Sequence, residues 1–172
     1  MKYYLETNRL ILRPFNENDI YDIYNNWTSD DEVTKYLTWN THKSIADTSF
    51  ILNLWLEQYE KPERINFGIV IKETNELIGG IDVVGYIDNI PIIGYVISRK
   101  YWNNGYTTEA CLKVLELLKT LGFEKVRIDA VVENTASNKV IVKCGGKFIE
   151  TYEDYSKLKN KLYRINKYEV EL

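Results

Sequence analysis

Tyr95–Gly122 reads Tyr-Val-Ile-Ser-Arg-Lys-Tyr-Trp-Asn-Asn-Gly-Tyr-Thr-Thr-Glu-Ala-Cys-Leu-Lys-Val-Leu-Glu-Leu-Leu-Lys-Thr-Leu-Gly. The apolar run Ile92–Ile97, which overlaps its start, predicts a buried strand. Beyond a polar turn that contains Gly105, apolar residues recur at the i, i+3, i+4, i+7 spacing of one helix face. Gly122 stands where a left-handed residue commonly ends a helix. The stretch therefore predicts a strand, a glycine-containing turn and a helix.

This predicted helix start has a chemical consequence. The first N–H groups of a helix have no partner inside it, and they lie at the positive end of the helix dipole. Gly105 removes a side chain where a phosphate would approach. The turn therefore predicts a phosphate or diphosphate site. An ordinary tight turn is the alternative, and the turn alone does not exclude it.

Composition narrows the class of protein. The chain has 172 residues, enough for one domain over residues 1–172, with 45% hydrophobic and 27% charged residues. A net charge of -3 gives no general attraction to nucleic acid or anionic membranes. We find no run that could span a bilayer and no signal peptide, because Met1–Glu6 turns polar at once, so we expect a cytoplasmic protein.

Cysteine and histidine are scarce. Cys111 and Cys144 lie on the apolar faces of predicted helices, so we expect two buried free thiols. His42 is the one histidine, so the two cysteines have too few further metal ligands, and no metal site is predicted. We expect His42 on a surface loop.

The chain before Tyr95 predicts one strand, two helices and a hairpin. They are the strand Arg9–Arg13, a helix that begins near Asn16 or Asn18, a helix capped by Ser44 with Asp47 three residues on, and the strands Asn66–Lys72 and Leu77–Gly85. Gly79-Gly80 within the last strand predicts a bulge or a close neighbour. The acidic run Asp30–Glu32 is expected in a solvated loop near the end of the first helix, or on a rim that attracts amines. Tyr36 and Trp39 are candidates for an acceptor pocket.

The chain after Gly122 contains one conflict. Lys125–Val132 predicts a strand, and Phe148–Thr151 and Tyr163–Val170 predict two more, with the charged residues Tyr152–Lys161 as a loop. Between them, the β-branched run Val140-Ile141-Val142 favours strand by propensity. The apolar spacing there also fits a short helix that ends at Gly145.

Three segments carry a resemblance to a known family. Tyr101-Trp102-Asn103-Asn104-Gly105-Tyr106-Thr107-Thr108-Glu109-Ala110 resembles the acetyl-CoA pyrophosphate loop of the GNAT N-acetyltransferases, with Trp102 at its Gln/Arg position and Thr107 at its final Gly/Ala. Thr7-x-Arg9-Leu10-x-Leu12-Arg13 is similar to the opening strand of the RimJ/RimL type, which acetylates ribosomal-protein N-termini. Asn134-x-x-Ser137 followed by Lys143-Cys144-Gly145 is similar to a later segment, although Gly146 replaces the family's phenylalanine.

The resemblance implies an α+β architecture, the GNAT fold. In that fold a mixed, mostly antiparallel central sheet splays at the cofactor cleft and is flanked by about four helices. It implies that residues 134–145 form a helix. It also implies that the strand before the loop and Lys125–Val132 diverge, so that acetyl-CoA enters between them.

The implied cofactor-binding residues fall into three groups. They are Tyr95, Val96 and Ile97 on the strand, with Val96 and Ile97 backbone groups pairing with the pantetheine; Trp102, Asn103, Asn104, Gly105, Tyr106, Thr107 and Thr108 in the loop and helix start; and Asn134 and Lys143 beyond. Asn134 and Ser137 are the candidate catalytic residues, with Ser137 as the acid because Ile141 stands where some relatives carry a tyrosine. Helix capping is the alternative role for this pair.

The implied reaction is direct attack of an amine on the acetyl-CoA thioester. Many relatives carry an acidic residue at the position of Ile92, so that base is absent; Asp82, Asp129 and Glu109 are the other carboxylates considered. At pH 7 the neutral form costs roughly 1.4 kcal/mol for an α-amine and roughly 4.6 kcal/mol for a lysine.

The lower free-energy cost of the neutral α-amine favours an α-amine acceptor such as a ribosomal-protein N-terminus. A drug or polyamine acceptor and a non-catalytic CoA-binding module are the alternatives. The expected state is a monomer or homodimer.

Overall fold

The computed structural model describes residues 3–61 and 64–172. Met1 and Lys2, which open the polar N-terminus considered above, lie outside the described residues, as do Pro62 and Glu63. No helix within the described ranges has the length and apolar character needed to cross a membrane.

Eight strands form one sheet in the described part of the chain. They are β1 (Leu5–Glu6), β2 (Leu10–Arg13), β3 (Asn66–Ile71), β4 (Leu77–Ile87), β5 (Ile90–Ile97), β6 (Lys125–Val131), β7 (Lys147–Ser156) and β8 (Lys161–Glu171), in the order β1-β2-β3-β4-β5-β6-β8-β7. β5 and β6 run parallel, and the other neighbours pair antiparallel. The predicted mixed, mostly antiparallel sheet is therefore confirmed.

Five α-helices flank the sheet in the described residues. They are α1 (Ile20–Ile23), α2 (Asp31–Thr34), α3 (Ile45–Gln58), α4 (Tyr106–Thr120) and α5 (Thr135–Lys143). A 3-10 turn precedes α1 and a π-helical segment, Tyr24–Thr28, continues it. Ser44 forms the predicted capping box with Asp47, and Asn16, one of the two predicted caps, forms a capping box with Asp19.

The two faces of the sheet carry separate hydrophobic cores. On one face, which we call the α1–α3 face, Trp27 and Leu52 pack with Val70 of β3. On the other, the α4–α5 face, Val114 and Ile141 pack with strand residues that include Ile69. Neighbouring residues of one strand divide between the two cores because side chains alternate across a sheet.

The parallel pair β5 and β6 is joined at only one end. Its register covers Ile92 opposite Arg127 and Ile93 opposite Ile128, near the start of β5. The rest of β5, up to Ile97, has no ladder partner on that side. The predicted divergence of these two strands is confirmed, and the resulting gap, which we call the β5–β6 gap, lies beside the turn that leads into α4.

The conflict over residues 134–145 is resolved in favour of a helix. Asn134 caps α5, and Gly145 follows it with a φ of 89°, as a left-handed C-cap requires. The Asn138 amide donates to the Val131 carbonyl oxygen at 3.0 Å, and its oxygen accepts from the Tyr168 hydroxyl at 2.7 Å. These bonds fasten α5 to β6 and β8, so tertiary contacts override the strand propensity.

Two predictions from charge were wrong. Tyr152–Ser156 continue β7 instead of forming a loop, and the turn is confined to the residues between Ser156 and Lys161. β7 is an exposed edge strand, so it accommodates charged side chains without burying them. Asp30–Glu32 begin a helix instead of ending one, because Asp30 caps α2 by accepting the Glu32 N–H, and acidic residues there complement the dipole.

The glycines of β4 provide a stability test. A Cβ built on Gly79 would lie 2.3 Å from the Val96 carbonyl oxygen, whereas one built on Gly85 of the same strand would meet nothing within 4 Å. We expect Gly79→Ala to lower the free energy of unfolding by about 2–3 kcal/mol because backbone must shift. Gly85→Ala, the control, should change it by less than about 1 kcal/mol. Urea denaturation measures both, and equal effects would contradict the close strand packing.

Candidate functional site

The start of α4 presents backbone N–H groups that the chain itself does not use. Gly105 is its N-cap, with a φ of 77° and no capping side chain, and Asn103 is also left-handed at 62°. Within the described residues, none of the N–H groups from Asn103 to Thr108 donates to an acceptor. A row of free N–H groups at a helix N-terminus is suited to a diphosphate.

Side chains hold the turn ahead of α4 in place. The Trp102 indole Nε1 donates to the Ile97 carbonyl oxygen at 3.0 Å, and the Asn104 amide donates to the Trp102 carbonyl oxygen at 2.9 Å. Arg9 reaches from the other side of the α4–α5 face and donates to the Asn104 carbonyl oxygen at 3.0 Å. These contacts orient the turn, and the backbone N–H groups remain available to a ligand.

Glu109 belongs to this support, not to a reactive centre. Its carboxylate accepts from the Thr7 hydroxyl at 2.6 Å and from the Arg9 backbone N–H at 2.9 Å. The Arg9 guanidinium lies 2.7 Å from it. Burial raises the pKa of Glu109, but these hydrogen bonds and the guanidinium charge outweigh burial and lower it overall. A carboxylate held in this way is a poor base.

A groove of about 510 Å³ adjoins the helix start. Gly105, Thr108 and Lys143, all predicted from the sequence, line it together with Arg9. Arg9 was not predicted as a site residue, although the Thr7-x-Arg9 motif could have pointed to it. Glu109 also lines the groove and is paired with Arg9, whereas Lys143 has no ion-pair partner among the described residues. Lys143 beside the helix N–H groups makes the groove suitable for phosphate groups.

The β5–β6 gap exposes the backbone of alternate residues of β5. The Ser98 N–H bonds to the Ile78 carbonyl oxygen of β4, and Val96 is the register partner of Gly80. Because backbone groups alternate in direction along a strand, the Val96 N–H and carbonyl point to β4, and those of Tyr95 and Ile97 point into the gap. The predicted pairing partner Val96 is therefore occupied by the sheet.

Ser137 lies on the α4–α5 side of the gap in contact with Tyr95. The Tyr95 hydroxyl and the Ser137 Oγ are 2.8 Å apart. Burial raises the pKa of Tyr95, so its phenol stays protonated at neutral pH. Asn134 accepts the Ser137 backbone N–H at 3.2 Å, so its side-chain oxygen caps α5. The capping alternative therefore holds for this oxygen, and the Asn134 amide nitrogen has no partner in the described residues.

The two remaining carboxylate candidates, Asp82 and Asp129, differ in how fully they are bound. Asp129 accepts three hydrogen bonds from the Arg127 guanidinium, at 2.6–3.0 Å, and a fourth from the Tyr152 hydroxyl at 2.8 Å. Among the described residues Asp82 accepts from one donor, the Arg64 Nη2, at 3.0 Å. The structure thus leaves Asp82 with more capacity to accept a proton.

His42 and the two predicted aromatic residues divide between core and pocket. His42 lies in a loop, as predicted, but is partly buried, and its Nδ1 lies 2.8 Å from the Thr48 Oγ1. Its ring packs against Trp39, at 5.3 Å between centroids. Tyr36 lines a second pocket, of about 370 Å³, and Trp39 does not.

Charged residues of both signs surround this second pocket. Lys35, Lys161 and Arg164 line it together with Glu133 and Glu153. Glu133 immediately precedes the cap of α5, which places the pocket near the end of β6 and close to the β5–β6 gap. The described residues contain no group of three or more His, Cys, Asp or Glu side chains that could hold a metal ion.

Comparison with known proteins gives one family. The family model described as an acetyltransferase (GNAT) domain matches residues 9–147. The uncharacterized N-acetyltransferase YoaA of Bacillus subtilis (strain 168) is 32% identical over 144 residues, covering 82% of this chain and 81% of the relative.

Solved structures share the fold at lower identity. RimL, a ribosomal α-N-protein acetyltransferase solved with coenzyme A, superposes with a TM-score of 0.85 at 16% identity, over 99% of this chain and 98% of that one. Spermidine N-acetyltransferase from Vibrio cholerae, solved with CoA and spermine, gives a TM-score of 0.79 at 15% identity, over 96% of each chain. At these identities the likeness shows the fold alone.

The helix start provides a binding test with a matched control. Gly105 and Gly122 flank the same helix with φ values of 77° and 89°. Valine at either position imposes a left-handed penalty of roughly 1–2 kcal/mol. We expect only Gly105→Val to weaken acetyl-CoA binding, by about 100-fold, because two charge-assisted hydrogen bonds of roughly 1.5 kcal/mol each are lost. Calorimetry measures the affinity of both variants for acetyl-CoA. Equal weakening would contradict a role of the helix start in binding.

Proposed function

This chain belongs to the acetyltransferase (GNAT) family and is an acetyl-CoA-dependent N-acetyltransferase, and we propose that it acetylates a protein N-terminal α-amine by direct attack within a ternary complex. One observation carries the proposal: free N–H groups at the start of α4 lie beside a gap in the sheet that exposes the backbone of Tyr95 and Ile97.

These two features support one binding mode for the cofactor. The diphosphate accepts from the N–H groups of residues 103–108, with Arg9 and Lys143 neutralising its charge. The pantetheine arm runs along the β5–β6 gap, where the Tyr95 N–H and carbonyl and the Ile97 N–H offer the hydrogen bonds that an added strand would take. The Ile97 carbonyl already accepts from the Trp102 indole. The Asn134 amide nitrogen is directed to the same arm.

The thioester end lies near Tyr95 and Ser137. A backbone N–H that points into the gap stabilises the oxyanion of the tetrahedral intermediate. Ser137 protonates the leaving sulfur. Because the Tyr95 phenol stays protonated and can donate to Ser137, the serine hydrogen is free to point to the sulfur.

The charge of the second pocket supports a peptide over a polyamine. Three cations, Lys35, Lys161 and Arg164, line it with two carboxylates, Glu133 and Glu153. A polyamine is purely cationic and would be repelled by the cations, whereas a peptide offers an ammonium together with carbonyl or carboxylate oxygens. An α-amine also needs less help to become neutral than a lysine or polyamine nitrogen.

A binding and turnover panel tests the function. Calorimetry should detect acetyl-CoA, and free-thiol release should be faster with hexapeptides that begin with serine or alanine than with spermidine or an aminoglycoside. Mass spectrometry should place the acetyl group on the α-nitrogen. Absence of binding at millimolar cofactor would contradict the whole proposal, faster turnover of spermidine would reassign the acceptor, and binding without turnover would favour a non-catalytic module.

Ser137 gives a sharper test of the mechanism. We expect Ser137→Ala to lower kcat about 100-fold because the leaving thiolate loses its proton donor. The Kd for acetyl-CoA should change less than about threefold, since the cradle at α4 is untouched. Thr135→Ala, an exposed position on the same helix, is the control and should behave like the wild type. Equal losses in kcat and affinity would contradict the acid role.

A further inference from the structure

Asp82 occupies a distinctive position beside the β5–β6 gap. It lies on β4 between two register partners, Asn66 of β3 and Gly94 of β5. Gly94 directly precedes Tyr95, whose backbone points into the gap. Alternation along β4 puts Asp82 on the α1–α3 face, because its neighbours Ile81 and Val83 belong to the core of the α4–α5 face. Asp82 and Ser137 therefore lie on opposite faces of the sheet at the same gap.

One carboxylate oxygen of Asp82 is uncommitted. Arg64 Nη2 contacts Oδ2 at 3.0 Å, and no described residue donates to Oδ1. Oδ1 lies 3.7 Å from the place where a Cβ on Gly94 would stand. Gly94 has no side chain to cover this oxygen, and the Val84 Cγ1, 2.8 Å from the same Cβ position, is the neighbouring atom over β5.

Two buried donors adjoin this carboxylate without an acceptor. Arg64 Nε and Asn66 Nδ2 have no hydrogen-bond partner among the described residues, and Asn66 is only 4% exposed. An unpaired buried donor is costly, so such groups are normally satisfied by a bound oxygen. Their place beside Asp82 indicates a site for a group that both donates and accepts, as an α-amine with its own carbonyl does, or as a water does.

The charges that face Asp82 favour proton exchange. Burial raises the pKa of Asp82, and Arg64 opposes part of that rise. The Tyr59 phenol on the same face stays neutral, because burial raises its pKa to about 12. Asp19 is on this face too, but Arg13 holds it at 2.8 Å. Asp82 is thus a carboxylate whose protonated form is stabilised relative to a solvated one.

We propose that Asp82 is the general base that takes the proton of the acceptor ammonium, with Arg64 and Asn66 as positioning residues. This inference rests on the proposed function and adds the base that the function lacks. Asp129 is the rejected candidate, since four donor contacts already occupy its two oxygens.

In the reaction of an ammonium with acetyl-CoA, the nitrogen loses two protons and an N–C bond replaces the C–S bond. Asp82 removes one proton, and the freed nitrogen lone pair forms the N–C bond to the carbonyl carbon. The C–S bond breaks with its electron pair on sulfur, and Ser137 gives that sulfur a proton. The second proton leaving the nitrogen reaches Ser137 through solvent, and Asp82 returns its own proton to solvent. The products are the amide, free CoA and one proton.

The test compares kcat against pH for Asp82→Asn, with Asp129→Asn as the matched control. The probe is whichever hexapeptide or amine of the panel above turns over fastest, at saturating concentration. We expect Asp82→Asn to lose about 100-fold in kcat at pH 7. Its kcat should then rise about tenfold per pH unit up to the pKa of the amine, since only neutral amine reacts. The wild type and Asp129→Asn should be nearly flat over that range.

Asp82→Glu is the second variant, for the case that Asp82→Asn does not fold, because it keeps a carboxylate beside Arg64. We expect it to bind acetyl-CoA with unchanged affinity and to lose at least tenfold in kcat, since the base is displaced. A wild-type kcat and a flat pH profile in both Asp82 variants would overturn the base assignment and leave the proposed function intact. Absence of wild-type cofactor binding or turnover would instead overturn the proposed function itself.

Discussion

Parallel strands that pair at only two positions leave several backbone groups without a ladder partner, and this interruption is the constraint on which the site depends. β5 is held firmly by β4 on one side, whereas β6 departs from it after Ile93. The strand ladder of β6 is completed by β8, which pairs along its whole length. The sheet can therefore tolerate the opening, because β5 stays paired with β4 and β6 stays paired with β8. Unsatisfied backbone groups in such an opening are costly unless a ligand or water takes their place.

The second constraint is the left-handed turn that ends at Gly105. Asn103 and Gly105 both have positive φ values, and together they turn the chain sharply from β5 into α4. Arg9, which immediately precedes β2 and is anchored by Glu109, fixes this turn from a distant part of the sequence. This turn brings the start of α4 directly after the end of β5, so the groups proposed to bind the diphosphate and the groups proposed to bind the pantetheine belong to consecutive elements.

The sheet also separates the chemical tasks. Ser137 and Tyr95 share the α4–α5 face, where helix packing fixes the serine through the cap at Asn134. Asp82 and Arg64 share the α1–α3 face, where burial and one ion pair govern the carboxylate. The proposed proton donor, which would serve the sulfur, and the proposed proton acceptor, which would serve the nitrogen, therefore lie on opposite faces of one gap and do not neutralise each other.

The sequence by itself determined the elements whose signals are local. The turn at Gly105, the caps at Asn16, Ser44 and Gly122, and the amphipathic pattern of α4 depend on neighbours within a few residues, and each appears in the structure where it was predicted. The family resemblance added the gap and the helix after Asn134. Tertiary structure alone decided how other candidates are used: register directed the backbone groups of Val96 to β4, the Arg9 ion pair and the Tyr152 hydroxyl bound Glu109 and Asp129 from distant parts of the chain, and edge exposure extended β7 through charged residues. These outcomes depend on contacts between residues distant in the chain, and such contacts produce no periodic pattern in the sequence.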